Sequence, residues 1–420
     1  MLFVIFYNFT LVAQDTIKVM TYNLLNYNIY TSYCTTSNNN VNSKDLYLRD
    51  IFTYVMPDIL GVNELGAGTV SAQRLLDSVI NRNGINWYHR ANYVNSNSST
   101  IVSTIFYDSR KVTLYEQNYL PTNVRDIMIY KFYYNSPDLA TLLDTVFLTC
   151  IQMHLKAGSN DSDQSERAAE TLLLMNYLNG LSSMGNTLVM GDFNVQTSTE
   201  TCFQNLINYT NANVRFYDPV NKLGYWHSNT DFTMYHSQST NLVSNNCNVS
   251  SGLDDRFDFI LESFYIMHNI EKVSYVSGSY TVIGQDGNHL NQSLISPANY
   301  SVPANVLNAL FYNSDHLPVT VKLKINQTPF GINKLTSKLQ YIKLINPVNE
   351  NAEIEIYSKS EDNYNIYIFN QLGEILSQHS FHVFSGYNYI ILPMNNFTTG
   401  FYYINFTGNK NATTIKVLKN

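Results

Sequence analysis

Thr187-Leu188-Val189-Met190-Gly191-Asp192-Phe193-Asn194 is a run of strand-forming residues that reaches a glycine and then sets a carboxylate and a carboxamide with one residue between them. Successive strand residues alternate in direction, so Asp192 and Asn194 point the same way if the strand continues. Asp only accepts hydrogen bonds, whereas Asn can also donate. The pair suits holding a nucleophilic water on one side and a phosphate oxygen on the other. Taken alone, the stretch reads equally well as a strand running into an Asx-turn.

Other apolar runs carry comparable ends. Asp58-Ile59-Leu60-Gly61-Val62-Asn63-Glu64-Leu65 is a buried-strand pattern closing on a Glu, and Phe147-Leu148-Thr149-Cys150-Ile151-Gln152-Met153-His154 closes on a His. Residues 16–25 alternate as a strand and present Asn23 near their end. Gly252-Leu253-Asp254-Asp255-Arg256-Phe257-Asp258-Phe259-Ile260-Leu261 places Arg256 and Asp258 on one face, opposite Phe257, Phe259 and Leu261. Ser314-Asp315-His316-Leu317-Pro318-Val319 leads into a closing strand over 320–325. A Glu or Asp at the end of an apolar strand is costly unless it binds something, which favours a cation.

These motifs, in this order over about residues 17–324, resemble the endonuclease/exonuclease/phosphatase superfamily, which includes deoxyribonuclease I-like nucleases, bacterial sphingomyelinases and inositol polyphosphate phosphatases. The resemblance implies an α/β (α+β) four-layer fold: a β-sandwich flanked by helices, spanning 15–325. It also implies a secreted, metal-dependent phosphodiesterase, foremost an endonuclease acting on DNA or RNA. A phospholipid or inositol-phosphate hydrolase is the alternative, and a non-catalytic binding protein on the same fold a second one. In the family pattern Asp258 orients His316, Asp192 positions or shares the attacking water, and Asn194 and His154 donate to phosphoryl oxygens. Glu64, Asp315 and Asn23 hold Mg²⁺, with Mn²⁺ or Ca²⁺ as substitutes. Either Asp192 or His316 serves as base.

At 420 residues and 45% apolar composition the chain has material for two domains and a substantial core. Charged residues make up 14%, with 33 Tyr, so the surface is polar, uncharged and aromatic. A net charge of −7 excludes binding to nucleic acid by bulk electrostatics, although a bound cation would add positive charge locally. Residues 1–14 form an apolar run too short to span a bilayer and are expected to be a signal peptide. No later segment is apolar enough to cross a membrane, and a monomer is expected.

Helical spacing is expected over 44–56, 70–82 and 162–184, the last with Glu166 and Arg167 on its solvated face. The loop-rich segment 195–252 is where substrate choice is expected to lie, and Tyr225-Trp226 is the one hint of an aromatic hairpin for membrane entry. Asp286-Gly287-Asn288-His289 reads as a turn or a cation loop. The four cysteines contain no C-x-x-C pair. Cys202 with Cys247 is the expected disulfide, and Cys150 a buried thiol.

After a linker at 326–338 the chain alternates repeatedly over 339–420, the pattern of a small all-β sandwich. Asn346-Pro347, Asn370-Gln371-Leu372-Gly373, Gly400-Phe401-Tyr402 and Thr414-Ile415-Lys416-Val417-Leu418-Lys419 resemble the type A C-terminal sorting domain of bacterial type IX secretion. That resemblance implies the type IX machinery as partner and a secreted or cell-surface location. A carbohydrate-binding or adhesive β module is the alternative.

Overall fold

The apolar runs that end at Glu64, His154 and Asp192 become strands buried along almost their whole length, as continuous rather than alternating hydrophobicity requires. The computed structural model describes residues 15–136, 139, 145–325, 339–344, 346–371, 373–408 and 412–420. The expected signal peptide and linker lie outside the described residues. Residues 15–325 and those from 339 onward fall in two compact units.

In the first unit, one sheet runs β11 (Val273–Tyr275), β13 (Val319–Ile325), β1 (Asp15–Tyr27), β2 (Ile59–Gly66), β4 (Ile101–Asp108), β3 (Tyr88–Arg90), with β12 (Thr281–Val282) also on β13. The other runs β5 (Val112–Leu120), β6 (Ile127–Tyr134), β7 (Phe147–His154), β8 (Thr187–Asp192), β10 (Asp258–Ser263), β9 (Phe216–Tyr217). Each sheet contains one parallel pair, β1 with β2 and β7 with β8, among antiparallel neighbours.

The sheets face each other over a core that includes Val19, Ile59, Ile105, Tyr130, Met190 and Ile260. Helices α1 (Val41–Val55) and α2 (Thr69–Leu75), the latter running on into a π turn at Leu76–Ile80, cover the outside of the first sheet through Leu48, Ile51, Phe52, Leu75 and Val79. Helix α3 (Asp161–Asn179) and the short α4 (Thr201–Ile207) cover the second through Leu174, Met175, Leu178, Phe203 and Leu206. Four layers result. Helix α1 begins one turn earlier than its apolar spacing predicts because the Asn40 side chain accepts from the Asn42 and Ser43 N–H groups. A short α5 (Phe264–Met267) follows β10, and α6 (Ala304–Asn313) leads into the Ser314-Asp315-His316 segment.

Two sequence expectations are corrected here. The disulfide joins Cys34 to Cys247, while Cys202 and Cys150 are buried thiols. Cys202 sits on α4 inside the core between that helix and the second sheet, out of the loops where a partner could meet it. Arg167 is buried instead of solvated: its guanidinium pairs with Glu200 at 2.7 Å and donates to the carbonyls of Lys156 and Gly158.

The second unit contains a three-stranded sheet, β14 (Leu339–Leu344), β15 (Asn351–Ser358), β18 (Gly386–Pro393), and a four-stranded one, β17 (Ile375–Val383), β16 (Asp362–Phe369), β19 (Gly400–Thr407), β20 (Ala412–Lys419). Ile354, Ile356, Ile366, Ile368, Leu392 and Ile404 fill its interior.

Candidate active site

Register assembles the site. Across the second sheet His154 stands beside Asp192, and Asp192 beside Asp258, so three strands deliver one row of ionisable side chains at their ends. In the first sheet Asn23 stands beside Asn63, one residue before Glu64. Between the sheets runs a buried polar ladder. Gln152 donates to Asn63 at 2.8 Å and to Thr21 at 3.0 Å, and Asn63 donates to the Met153 carbonyl at 2.9 Å and to Ser103 at 2.8 Å. Partnered buried amides of this kind fix how one sheet sits on the other.

Glycine permits the closeness. A Cβ on Gly191, whose φ is +131°, would fall 1.9 Å from the Met153 carbonyl oxygen. Glu64 and Asn194 themselves take left-handed backbone (φ +55° and +53°), a strain that clusters at functional sites.

Every residue expected at the site converges on one cleft of about 400 Å³ or lies directly behind it. His316 Nδ1 is 2.7 Å from Asp258 Oδ2, which also accepts from the Ser237 hydroxyl at 2.7 Å. His316 Nε2 is 3.7 Å from Asp192 Oδ2 and 2.6 Å from the Gln238 amide nitrogen. His154 Nε2 lies 3.5 Å from Asp192 and 3.9 Å from Glu64. Asn23 donates through Nδ2 to both Glu64 and Asp192 at 3.0 Å, while its own oxygen accepts the Leu25 N–H. The Asn194 N–H caps Asp192 at 3.0 Å, so the Asx-turn and the site occupy the same residues, and the Asn194 amide reaches the Leu155 carbonyl at 3.2 Å.

Burial drives the electrostatics. It pulls the His154 imidazole well below its ordinary range, helped by the Arg125 charge, so this ring is neutral. At His316 burial acts the same way but is outweighed by the carboxylates of Asp258 and Asp192, which hold it well above. Asp192 and Asp315 are both raised, chiefly by burial, with Glu64 adding repulsion to each. Asp258 Oδ1 and Asp315 Oδ1 are buried without a hydrogen-bond partner among the described residues, and donor atoms of Glu64, His154 and Asp192 lie within 4.8 Å of one another. Crowded, partly unsatisfied carboxylates beside one imidazole fit a hard divalent cation.

Other contributors carry no motif. Arg125 clamps the His154 and Leu155 carbonyls at 2.9 and 2.7 Å. Lys44, buried under the cleft, donates to the Leu25 and Asn313 carbonyls. Ser237 and Gln238 come from the loop-rich segment, where polar residues are too common to stand out. Arg256 turns away from Asp258 and forms a buried bidentate pair with Asp218 at 2.8 and 2.9 Å. Trp226 is buried against Phe203 and Phe259 and cannot serve a membrane hairpin. Asp286 and His289 close a turn at 2.7 Å, with His289 also on the Pro297 carbonyl.

The model of the Endonuclease/Exonuclease/phosphatase family matches residues 20–287. The chain belongs to this family. Its C-terminal residues 346–420 match the Secretion system C-terminal sorting domain, which supports a secreted or cell-surface location for this family member. No curated protein matches the chain. Solved structures similar to it include a humanized D. rerio TDP2 with 14 mutations (13% identity, 74% of this chain and 99% of that one, TM-score 0.45) and the human Nocturnin catalytic domain with bound sulfate (14%, 74% and 98%, 0.43). Another is an endonuclease/exonuclease/phosphatase family protein of Bacteroides thetaiotaomicron (13%, 74% and 96%, 0.42). Membership supports phosphoester hydrolysis in general, and family members generally use divalent cations.

Proposed function

We propose that this protein is an extracellular, cation-dependent phosphodiesterase that cleaves nucleic acid. One observation carries the reading: the row His154, Asp192, Asp258 on adjacent strands, with His316 seated on Asp258 and Glu64 facing from the other sheet. Glu64 and Asp315 would hold the cation, with Asn23 bracing Glu64 against Asp192. When bound, Mg²⁺ would neutralise charge growing on the phosphoryl oxygens.

Asp258, fixed by Ser237, holds the Nδ1–H of His316 and leaves Nε2 toward the cleft. The proton leaving the attacking water passes to the Asp192–His316 pair, whose Oδ2 and Nε2 stand 3.7 Å apart. Neutral His154 and the Asn194 amide donate to phosphoryl oxygens, and Arg125 keeps the His154 backbone in place. Burial of Trp226 removes the Tyr225-Trp226 hairpin as a lipid-entry element, which is why nucleic acid is preferred to lipid.

The test offers plasmid DNA, RNA, sphingomyelin and inositol phosphates to the purified protein with Mg²⁺, before and after chelation. Cleavage of DNA or RNA that stops on chelation is expected. Turnover of only the lipid or inositol substrates would overturn the nuclease assignment.

A further inference from the structure

The Cys34–Cys247 disulfide closes a separation of 213 residues, and its two ends stand next to two proposed cation ligands that come from different parts of the chain. On one side the Asn26 N–H donates to Glu64 Oε2 at 3.1 Å. Asn26 is in turn held by the loop that carries Cys34: its amide nitrogen reaches Cys34 Sγ at 3.4 Å, and Asn39 donates to its carbonyl at 2.9 Å. On the other side, two residues past Cys247, the Val249 N–H donates to Asp315 Oδ2 at 2.8 Å. Val249 is pinned from behind by the Ser239 hydroxyl on its carbonyl at 2.6 Å.

Both segments are irregular. Beside the disulfide, one pair of amide contacts joins the two loops, Asn38 to the Asn245 carbonyl at 2.7 Å and Asn245 to the Asn38 carbonyl at 3.3 Å. Amide pairs at an exposed surface trade readily with water. A covalent bond does not.

Resting on the cation-site reading above, we propose that Cys34 and Cys247 are positioning residues of the cation site: their disulfide fixes the distance between the backbone donors of Glu64 and Asp315. Reduction frees the two donors to move independently, and the site loses its prearranged geometry while the sheets stay intact. Losing a group that orients a ligand lowers metal affinity by about 10- to 100-fold. The other two cysteines are buried thiols, so reduction alters this one bond alone.

The experiment titrates Mn²⁺ into the full-length protein, following free Mn²⁺ by electron paramagnetic resonance. It compares oxidised protein, phosphine-reduced protein, the Cys34→Ser/Cys247→Ser double variant and Glu64→Gln, with far-ultraviolet circular dichroism on each. The dissociation constant for Mn²⁺ should rise about tenfold or more in the reduced protein and the double variant. Phosphoester turnover at saturating Mn²⁺ should stay near that of the oxidised protein, so the defect lies in the cation dependence. Equal Mn²⁺ affinity with and without the disulfide, while Glu64→Gln binds weakly, would overturn the proposal and leave the cation site standing. No Mn²⁺ binding by the oxidised protein would remove the cation site and the proposal together. Loss of secondary structure on reduction would also overturn it, because the bond would then hold the whole unit.

Discussion

Strands β8 and β10 of the first unit are buried at every residue, whereas β16 and β19 of the second alternate between buried and exposed or half-buried positions. The contents of the two interiors differ as sharply. The first buries Asn23, Asn63, Gln152, His154, Asp192, Asp258, Asp315 and His316, while the buried polar residues of the second, among those described, are Ser358 and Asp362. Period-two alternation is what an independent antiparallel sandwich needs in order to fold, and it brings no chemistry with it. Full burial ending in ionisable groups is expensive for folding and is retained where strand ends converge on a site. The C-terminal unit is therefore read as a carrier, and the N-terminal unit as the catalyst.

The largest expected effect is on turnover. Asp258→Asn leaves the size of the side chain intact but removes the negative charge that holds His316, and should lower kcat by about 10²- to 10⁴-fold in steady-state assays. A change below threefold would break the assignment of the row. Next comes Arg256→Leu, which strands Asp218 in the interior and should cost about 3–5 kcal/mol by denaturant unfolding of the first unit. Replacing both partners with Leu should recover much of that loss, since the ion pair itself contributes less than an orphaned charge costs.

In the second unit Ile366→Ala should cost about 2–5 kcal/mol of that unit's stability while leaving kcat unchanged. A matching fall in turnover would mean the carrier takes part in catalysis. The last effect, read only as a pH dependence, belongs to Glu262, whose carboxyl is pushed up to about 8, mainly by burial with Asp218 adding repulsion. The folded state then holds its proton more tightly than the unfolded chain. Stability from this group is complete below the ordinary value of 4.5 and is lost as pH rises toward 8. Glu262→Gln should flatten that decline, which thermal midpoints across the range would show.

Much of this was legible in the sequence because the site is built from strand ends. Asn23, Glu64, His154 and Asp192 lie toward the end of an apolar run, Asp258, Asp315 and His316 stand at or before the start of one, and sheet register then brings distant segments together. The disulfide was not legible. Cys34 and Cys247 meet because β1 and the loop before β10 end at the same edge of the molecule, a consequence of packing and not of spacing. Arg167 reads as surface by composition, yet Glu200 and two carbonyls satisfy it inside. Gln238 and Arg125 act through their position alone, since neither residue type is unusual in its segment.

The central claim is that the carboxylates at these strand ends hold one divalent cation in the cleft. Anomalous scattering from crystals grown with Mn²⁺ tests it most directly. The account predicts a peak bounded by Glu64, Asp192 and Asp315, in reach of His154. A cleft without a peak, or with Mn²⁺ bound only at the separate His227, Asp254 and Asp255 cluster, would contradict it.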